Sequence, residues 1–280
     1  MKKNPLNDIE ISKMLDESKL VRKLTEDFMD NPLSAVFRIM GLSEIPHIVR
    51  LPYTQKTIKY INSNIATSEG FSCLGGVKEI VPCYNAMLFE AYCRLGLADS
   101  KEARAAFQWI KQYQLFERNQ ITTWPHMGIC KHGGCLGKTP CYIGIGKTVR
   151  ALVTYSECVN HADNEAENLL SLGISYMLRH KMYQRLSDGL PICAHITDIM
   201  IPQSYSLSLT DLIYIIGKRR LTTDENSMPT LQLVQEKQIA ANQWKIDYLY
   251  GYKGYVGFET RSKASEWIST LFPIWLFDSI

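Results

Sequence analysis

The residues whose types and spacing suggest chemistry are concentrated between 124 and 155, in a glycine-rich loop that leads into a predicted helix. The loop carries six side chains with ring nitrogen or sulfur atoms: Trp124, His126, Cys130, His132, Cys135 and Cys141. Zinc prefers thiolate and imidazole ligands, so Cys130, His132 and Cys135 form a candidate metal site, with Zn as a possible cofactor. The cysteine spacing lacks the closely spaced pairs that are typical of structural zinc sites.

Cys141 has a second interpretation as a nucleophile. If it begins the helix, the helix dipole lowers the pKa of its thiol and favours the thiolate. A metal ligand, a reactive thiol and a buried small side chain all remain open for it. Cys83 occupies the equivalent place in an earlier helix, so Cys83, Cys141, Tyr84 and Tyr142 are expected to point from adjacent helices toward a shared axis, unless they serve only to pack the helices together.

Three further residues are candidates for acid or base catalysis. His195 and Asp198 are three residues apart, and Asp211 lies near the start of a predicted helix. A carboxylate at the mouth of an apolar cavity has its pKa raised by desolvation and can then donate a proton. For Asp211 the alternative is stabilisation of the first helical turn by the helix dipole.

The predicted substrate-binding residues are four aromatic side chains and one cation: Tyr84, Trp124, Tyr205, Trp267 and Lys147. The cation suits an anionic head group such as a diphosphate. The strings Gly137-Lys138-Thr139 and Gly146-Lys147-Thr148 imitate the end of a phosphate loop, but both lack its leading glycine and neither follows a strand. Nucleotide hydrolysis is therefore excluded.

The composition is that of a globular protein. Apolar residues make up 46% and charged residues 21% of the 280 residues, and the net charge of +3 is too small to favour a nucleic acid partner. No run approaches the roughly 20 apolar residues of a membrane-spanning helix, and the basic start lacks the apolar run of a signal peptide. Eight cysteines in a chain of this length are expected to be reduced, which favours the cytoplasm.

The elements that must position these residues are helices arranged in pairs. The segment TPCYIGIGKTVRALVTY repeats the opening of VPCYNAMLFEAYCRLGL, and an amphipathic partner helix follows each. Repeated helix hairpins are typical of a helical array. We therefore predict one all-α domain over 1–280, with an N-terminal helical extension over 1–44 and a possible short β-hairpin near 250–259.

Several residues resemble a known superfamily. Gln238 followed by Asn242-Gln243-Trp244 is similar to the glutamine-tryptophan repeat of squalene and hopene cyclases, with Gln114 and Trp124 as a stretched second copy. The region from about 70 to 280 resembles the small proteins with prenyltransferase and squalene-oxidase repeats, within the terpenoid cyclase and protein prenyltransferase superfamily. That resemblance implies an α/α toroid, in which an inner and an outer ring of helices surround a central cavity.

The chain departs from this superfamily at its catalytic motifs. It has neither the Asp-x-Asp-Asp of class II cyclases nor the Asp-x-Cys of protein prenyltransferases. The expected function is therefore an enzyme that acts on an apolar or isoprenoid-like small molecule in a central cavity by acid-base or thiol chemistry. The alternative is a non-catalytic small-molecule-binding or assembly protein that has kept the fold.

Overall fold

The chain is helical throughout most of the computed structural model, which describes residues 7–27, 31–126, 135–252 and 254–277. Eleven α-helices lie within these residues: α1 Asp8–Glu17, α2 Lys19–Thr25, α3 Pro32–Ser43, α4 Pro52–Asn64, α5 Pro82–Arg94, α6 Lys101–Tyr113, α7 Tyr142–Cys158, α8 Asn164–Arg179, α9 Leu209–Lys218, α10 Met228–Glu236 and α11 Glu266–Leu276. The described part contains isolated bridges but no sheet. The all-α prediction is confirmed. None of the described helices combines the length and apolar character needed to cross a membrane.

Most helices begin where the sequence supplies a cap. Proline occupies the first turn of α3, α4, α5 and α10, where its missing N–H costs nothing. The Ser100 side chain accepts a hydrogen bond from the Ala103 amide at the start of α6. Ser208 and Asp211 form a reciprocal capping box at the start of α9.

The odd-numbered helices α3, α5, α7 and α9 are buried on nearly every face, and each packs beside the next in that order. Their partners α4, α6, α8 and α10 bury only one face. A helix that is apolar all round lies inside a protein, whereas an amphipathic one covers its surface. The described helices therefore form hairpins with one buried and one outer member.

Small residues set the spacing between the buried helices. A Cβ on Gly144 of α7 would lie 2.9 Å from Cβ of Pro82, so the N-termini of α5 and α7 are in contact. A Cβ on Gly146 would lie 2.4 Å from the Leu207 side chain, just before α9. The two copies of Pro-Cys-Tyr do not occupy the same positions relative to their helices. Pro82 is the first residue of α5, whereas Cys141, the second residue of its copy, is the N-cap residue that precedes α7.

The predicted β-hairpin near 250–259 is wrong. The described residues there form irregular backbone, and Tyr250, Tyr252 and Tyr255 pack their rings against Phe37 of α3 at 5.1, 5.3 and 6.4 Å between centroids. The segment follows α3, where its aromatic side chains are half-buried against Phe37 instead of packing on a paired strand. Lys23 also donates a hydrogen bond to the Gly257 carbonyl at 2.9 Å.

α3 runs past Gly41, although glycine commonly follows the last residue of a helix. The helix continues to Ser43 and buries Leu42 completely. A Cβ on Gly41 would lie 3.1 Å from Cδ2 of Leu24. The glycine therefore gives α2 room to pack against α3, and it does not terminate the helix.

Candidate active site

Cys141 is the N-cap residue of α7 and is only partly exposed. A hydrogen bond from the Cys135 thiol is the largest effect on its pKa, which is lowered to about 6 despite partial burial. The amides of Ile143 and Gly144, in the first turn of α7, lower it further, although no full capping hydrogen bond reaches the side chain. A thiol with this pKa is mostly thiolate at neutral pH, which is the nucleophilic form.

Cys141 opens onto a cavity of about 380 Å³. The cavity lies between the start of α7, the end of α8 and the loop that follows α8. Its lining residues are Arg118, Thr139, Pro140, Cys141, Tyr142, Tyr176, His180, Arg185, Leu186, Ser187 and Ile192. A few polar groups among apolar and aromatic walls, at this size, are typical of small-molecule sites.

His180 is the histidine in this lining. Its Nδ1 lies 2.9 Å from the Gln184 carbonyl oxygen, which can only accept, so Nδ1 carries the proton. Burial lowers the pKa of His180, and the nearby Arg118 lowers it further. The ring is therefore neutral at pH 7, and Nε2 is the ring nitrogen that can accept a proton.

The walls of the cavity are fixed by hydrogen bonds and ring contacts. The Tyr142 hydroxyl donates to the Met182 carbonyl at 2.7 Å, and burial raises the pKa of this hydroxyl well above its ordinary value. The His180 ring lies 5.3 Å from the ring of Tyr142 and 4.9 Å from that of Tyr176. Tyr142 therefore holds α7 to the chain after α8 and is poorly suited to releasing a proton.

A second group of thiols and phenols lies beside this cavity. Burial raises the pKa of Tyr205 to about 12, and Cys83, Cys141, Cys135 and Cys193 all lie close enough to add to this effect. The Tyr84 ring stacks on Tyr205 at 6.1 Å between centroids. The N-terminal ends of α5 and α7 thus bring Cys83 and Cys141 to the same region, as the repeated Pro-Cys-Tyr predicts.

Paired charges fill the region where the buried helices meet. The Arg150 guanidinium contacts Glu90, Asp211 and Glu44 at 3.0, 2.8 and 3.0 Å. Lys147 Nζ lies 3.0 Å from the nearer carboxylate oxygen of Asp211. Glu90, Lys147 and Asp211 have no exposed surface. These groups connect α3, α5, α7 and α9 through buried ion pairs, which are stable only when every charge is compensated.

This network changes the roles open to Asp211 and Lys147. Asp211 accepts from the Ser208 amide and hydroxyl at 2.8 and 2.9 Å, besides its two cationic partners. Asp211 therefore does not lie at the mouth of an apolar cavity, the position from which proton donation was expected. Its contacts with Ser208 fit the alternative to catalysis, which is stabilisation of the first turn of α9. The ammonium of Lys147 is fully buried and already paired, so it is not presented to an anionic substrate.

His195 and Asp198 do come together. Nδ1 of His195 lies 2.8 Å from Oδ2 of Asp198, and the imidazole stacks on Tyr248 at 3.7 Å between centroids. Neither residue lines the cavity of Cys141. The pair has the hydrogen bonding of an oriented base, at a different place from the reactive thiol.

The remaining predicted site residues are placed elsewhere. Trp124 is buried among Trp109 and Tyr113, with ring centroids 5.7 and 4.8 Å away. Trp267 lines a separate open depression of about 300 Å³ on α11. Cys130 and His132 lie outside the described residues. Among the residues that are described, no three potential ligands come together to hold a metal, so the zinc site stays a prediction.

Sequence reasoning does not identify Arg118, Tyr176, His180 or Arg185 as site residues. The signal for Tyr176 and His180 is their spacing of four residues near the end of α8, which places both rings on one face. Arg118 and Arg185 are on loops, and only the fold brings them to Cys141. A cavity of about 390 Å³ between α10 and α11 has no titratable side chain among the described residues that line it, so it suits catalysis less well than the Cys141 cavity does.

Comparisons with protein-family models, with curated proteins and with solved structures found no match to this chain.

Proposed function

We propose that this protein is an enzyme that uses the Cys141 thiolate as a nucleophile on a small-molecule electrophile. The observation that carries the proposal is the opening of Cys141, at the N-cap of α7, onto a cavity of about 380 Å³ that also contains His180. A low-pKa thiol and a neutral imidazole that line one cavity are a pair of groups that nucleophilic catalysis by cysteine commonly uses.

The chemistry follows from these two side chains. The Cys141 sulfur forms a bond to the electrophilic carbon of the substrate while the bond from that carbon to its leaving group breaks. His180 Nε2 then takes a proton from a water molecule whose oxygen forms a bond to the same carbon, and the carbon–sulfur bond breaks to release the product and the thiolate. The imidazolium returns its proton to solvent. The Tyr142, Tyr176, Leu186 and Ile192 walls suit a substrate with an apolar body, in line with the isoprenoid-like substrates that the superfamily resemblance implies.

The same proposal includes the arrangement of the hairpins. We propose that they curve into an α/α toroid, with α3, α5, α7 and α9 as inner helices. Their burial and their order of packing support this arrangement. The site then lies at one end of the inner helices, because the charged network occupies the region where they meet. The reduced cysteines are suited to the cytoplasm.

A chromogenic ester tests the proposal. With p-nitrophenyl acetate we expect a burst of one equivalent of nitrophenol per protein, an acetyl group mapped to Cys141, and slower continued turnover. Cys141→Ala removes the burst. Cys158→Ala, which changes an exposed cysteine on the last turn of α7, leaves it unchanged. A burst that survives in Cys141→Ala contradicts the proposal.

The second candidate is a non-catalytic small-molecule-binding or assembly protein. The observation that favours it is that paired side chains of α5, α7 and α9, together with Glu44 after α3, occupy the region where the buried helices meet. This candidate predicts that Cys141 is acetylated once without further turnover. Turnover beyond one equivalent favours the enzyme.

A further inference from the structure

Apart from the Cys141 thiolate, the charged side chains among the described residues that line the cavity are both positive. Among its lining residues Arg118 and Arg185 carry a positive charge, and the lining contains no aspartate or glutamate. The cavity also faces the N-terminus of the 17-residue helix α7, which is the positive end of the helix dipole. A molecule that enters the cavity therefore meets a positive field before it reaches the sulfur.

Arg118 is held close to Cys141 by backbone bonding. The Asn119 amide donates to the Lys138 carbonyl at 2.6 Å, which ties the turn containing Arg118 to the segment that leads into α7. Within the described part of the chain, Arg118 forms no ion pair, whereas its neighbour Glu117 is paired with Arg179. The guanidinium of Arg118 is exposed and keeps all of its donors for a ligand.

Arg185 lines the same cavity from the loop that follows α8. Its amide donates to the Leu190 carbonyl at 2.8 Å, and the Gly189 amide donates to the Arg185 carbonyl at 2.9 Å, which closes the loop after α8. Nε of Arg185 contacts Asp188 at 3.1 Å. This contact engages one edge of the guanidinium and leaves the two terminal nitrogens for an anion.

We infer that the substrate of Cys141 is an anionic electrophile, whose charged oxygen atoms are bound by Arg118 and Arg185 while its reactive carbon faces the sulfur. This inference rests on the proposed role of Cys141 as the nucleophile. Guanidinium groups bind carboxylate and phosphate oxygens through paired hydrogen bonds. The apolar walls accept the remainder of the molecule.

Two alkylating agents of similar size test the inference. Iodoacetate and iodoacetamide both form a sulfur–carbon bond with loss of iodide, but only iodoacetate is anionic. Mass spectrometry measures the rate of Cys141 alkylation by each reagent. The ratio of the iodoacetate rate to the iodoacetamide rate is then compared with the same ratio for 2-mercaptoethanol. We expect the Cys141 ratio to be about three- to tenfold higher, as for a pair of partly solvated charges.

Matched variants assign the effect to the cavity. Arg118→Gln is expected to lower the ratio toward that of 2-mercaptoethanol, mainly by slowing iodoacetate, and Arg118→Gln with Arg185→Gln is expected to abolish the preference. Arg179→Gln removes the same charge from a neighbouring residue that does not line the cavity, and is expected to keep the ratio.

The labelling rates distinguish the inferred anionic substrate from the proposed role of Cys141 as the nucleophile. In one outcome, Cys141 reacts rapidly with iodoacetamide while its rate ratio equals that of 2-mercaptoethanol and does not change in Arg118→Gln. That result overturns the anionic substrate and supports Cys141 as the nucleophile. If Cys141 reacts with neither reagent faster than an ordinary thiol, the proposed function fails and the inference fails with it.

Discussion

At the scale of single residues, the reactivity of Cys141 depends on a neighbouring thiol. The hydrogen bond from Cys135 is the largest of the effects that lower its pKa, ahead of the amides at the start of α7. Helix N-termini favour thiolates in general, but a second thiol that donates to the sulfur adds a stabilisation that the helix alone does not give.

Removal of that donor tests this cause. In wild-type protein the rate of Cys141 alkylation by iodoacetamide is expected to rise with pH about a midpoint near 6. In Cys135→Ala the midpoint moves upward, because the thiolate has lost a hydrogen bond. Cys193→Ala removes a neighbouring thiol that is not among the groups lowering this pKa, and so leaves the midpoint low. An unchanged midpoint in Cys135→Ala contradicts the assignment.

His180 is expected to affect turnover more than nucleophilicity. In His180→Ala the acetylation burst is retained, since Cys141 is already largely ionised, while the steady release of nitrophenol falls by about 10²- to 10⁴-fold, the usual effect of losing a general base. His161→Ala, which changes an exposed histidine, is the matched control. A burst and turnover that fall together contradict this division of roles.

At the scale of helices, two different parts of α7 have separate roles. Its first turn presents Cys141 to the cavity, and its middle carries Lys147 and Arg150 into the buried ion network. Arg150 is the ninth residue of α7 and meets Glu90, the ninth residue of α5, so the two helices run side by side in matching register. Displacement of α7 therefore moves Cys141 as well.

Loss of the central guanidinium is expected to destabilise the fold. Arg150→Met leaves Glu90, Asp211 and Glu44 short of a cation inside the protein, which costs roughly 3–5 kcal/mol. Arg179→Met removes an exposed pair with Glu117 and costs about 1 kcal/mol or less. Urea unfolding measures both. Equal losses for the two variants would show that the buried network contributes no more than a surface pair.

Close packing of α9 against α11 gives another prediction at this scale. A Cβ on Gly217 would lie 2.2 Å from the Trp275 carbonyl oxygen, and backbone cannot move aside as a flexible side chain can. Gly217→Ala is therefore expected to lower the free energy of unfolding by roughly 1–3 kcal/mol. Gly251→Ala, with no atom within 4 Å of the added Cβ, is the control that remains near wild type.

At the scale of the whole molecule, the ion network makes stability depend on acid. Burial alone would raise the pKa of Glu90, but Arg150 and Arg94 outweigh it and lower the pKa from 4.5 to about 2. A carboxyl whose pKa is lower in the folded state stabilises the fold above the unfolded value and loses this contribution as the pH falls. The loss from Glu90 therefore occurs between pH 4.5 and 2.

Glu90→Gln tests this dependence. The variant has no carboxyl to titrate at this position, so its free energy of unfolding is expected to fall less steeply than that of the wild type through the same pH window. Denaturant unfolding at several pH values measures both slopes. Parallel curves would show that Glu90 is not the titrating group.

The sequence predicts the helices well because their signals are local. The first-turn prolines, Ser100 and the apolar periodicity act over a few residues, and they place α5, α6, α7 and α8 close to where they are observed. The repeated Pro-Cys-Tyr also predicts that Cys83 and Cys141 share a region. The fold prediction fails at 250–259, where alternating tyrosines pack on a distant helix.

The candidate site is predicted only in part, because its members are brought together by tertiary packing. Cys141 is visible from its place before a helix. Arg118 and Arg185 are loop residues 67 positions apart with no motif between them. Asp211 and Lys147 have the residue types of a site, but the pairing of Arg150 with three acids, which only the fold reveals, gives them a buried structural role.

Competitive labelling of all eight cysteines shows whether Cys141 is the most reactive thiol of the folded protein. The folded protein is treated briefly with a small amount of iodoacetamide at pH 7, and each labelled cysteine is quantified by peptide mapping. If exposure alone decided the labelling rate, Cys158 would react first, because it is the exposed cysteine of the described residues. Its sulfur is still partly buried, which raises its pKa. We expect Cys141 to be labelled first and several-fold faster than Cys158. Labelling of Cys158 ahead of Cys141 would contradict the assignment of Cys141 as the nucleophile.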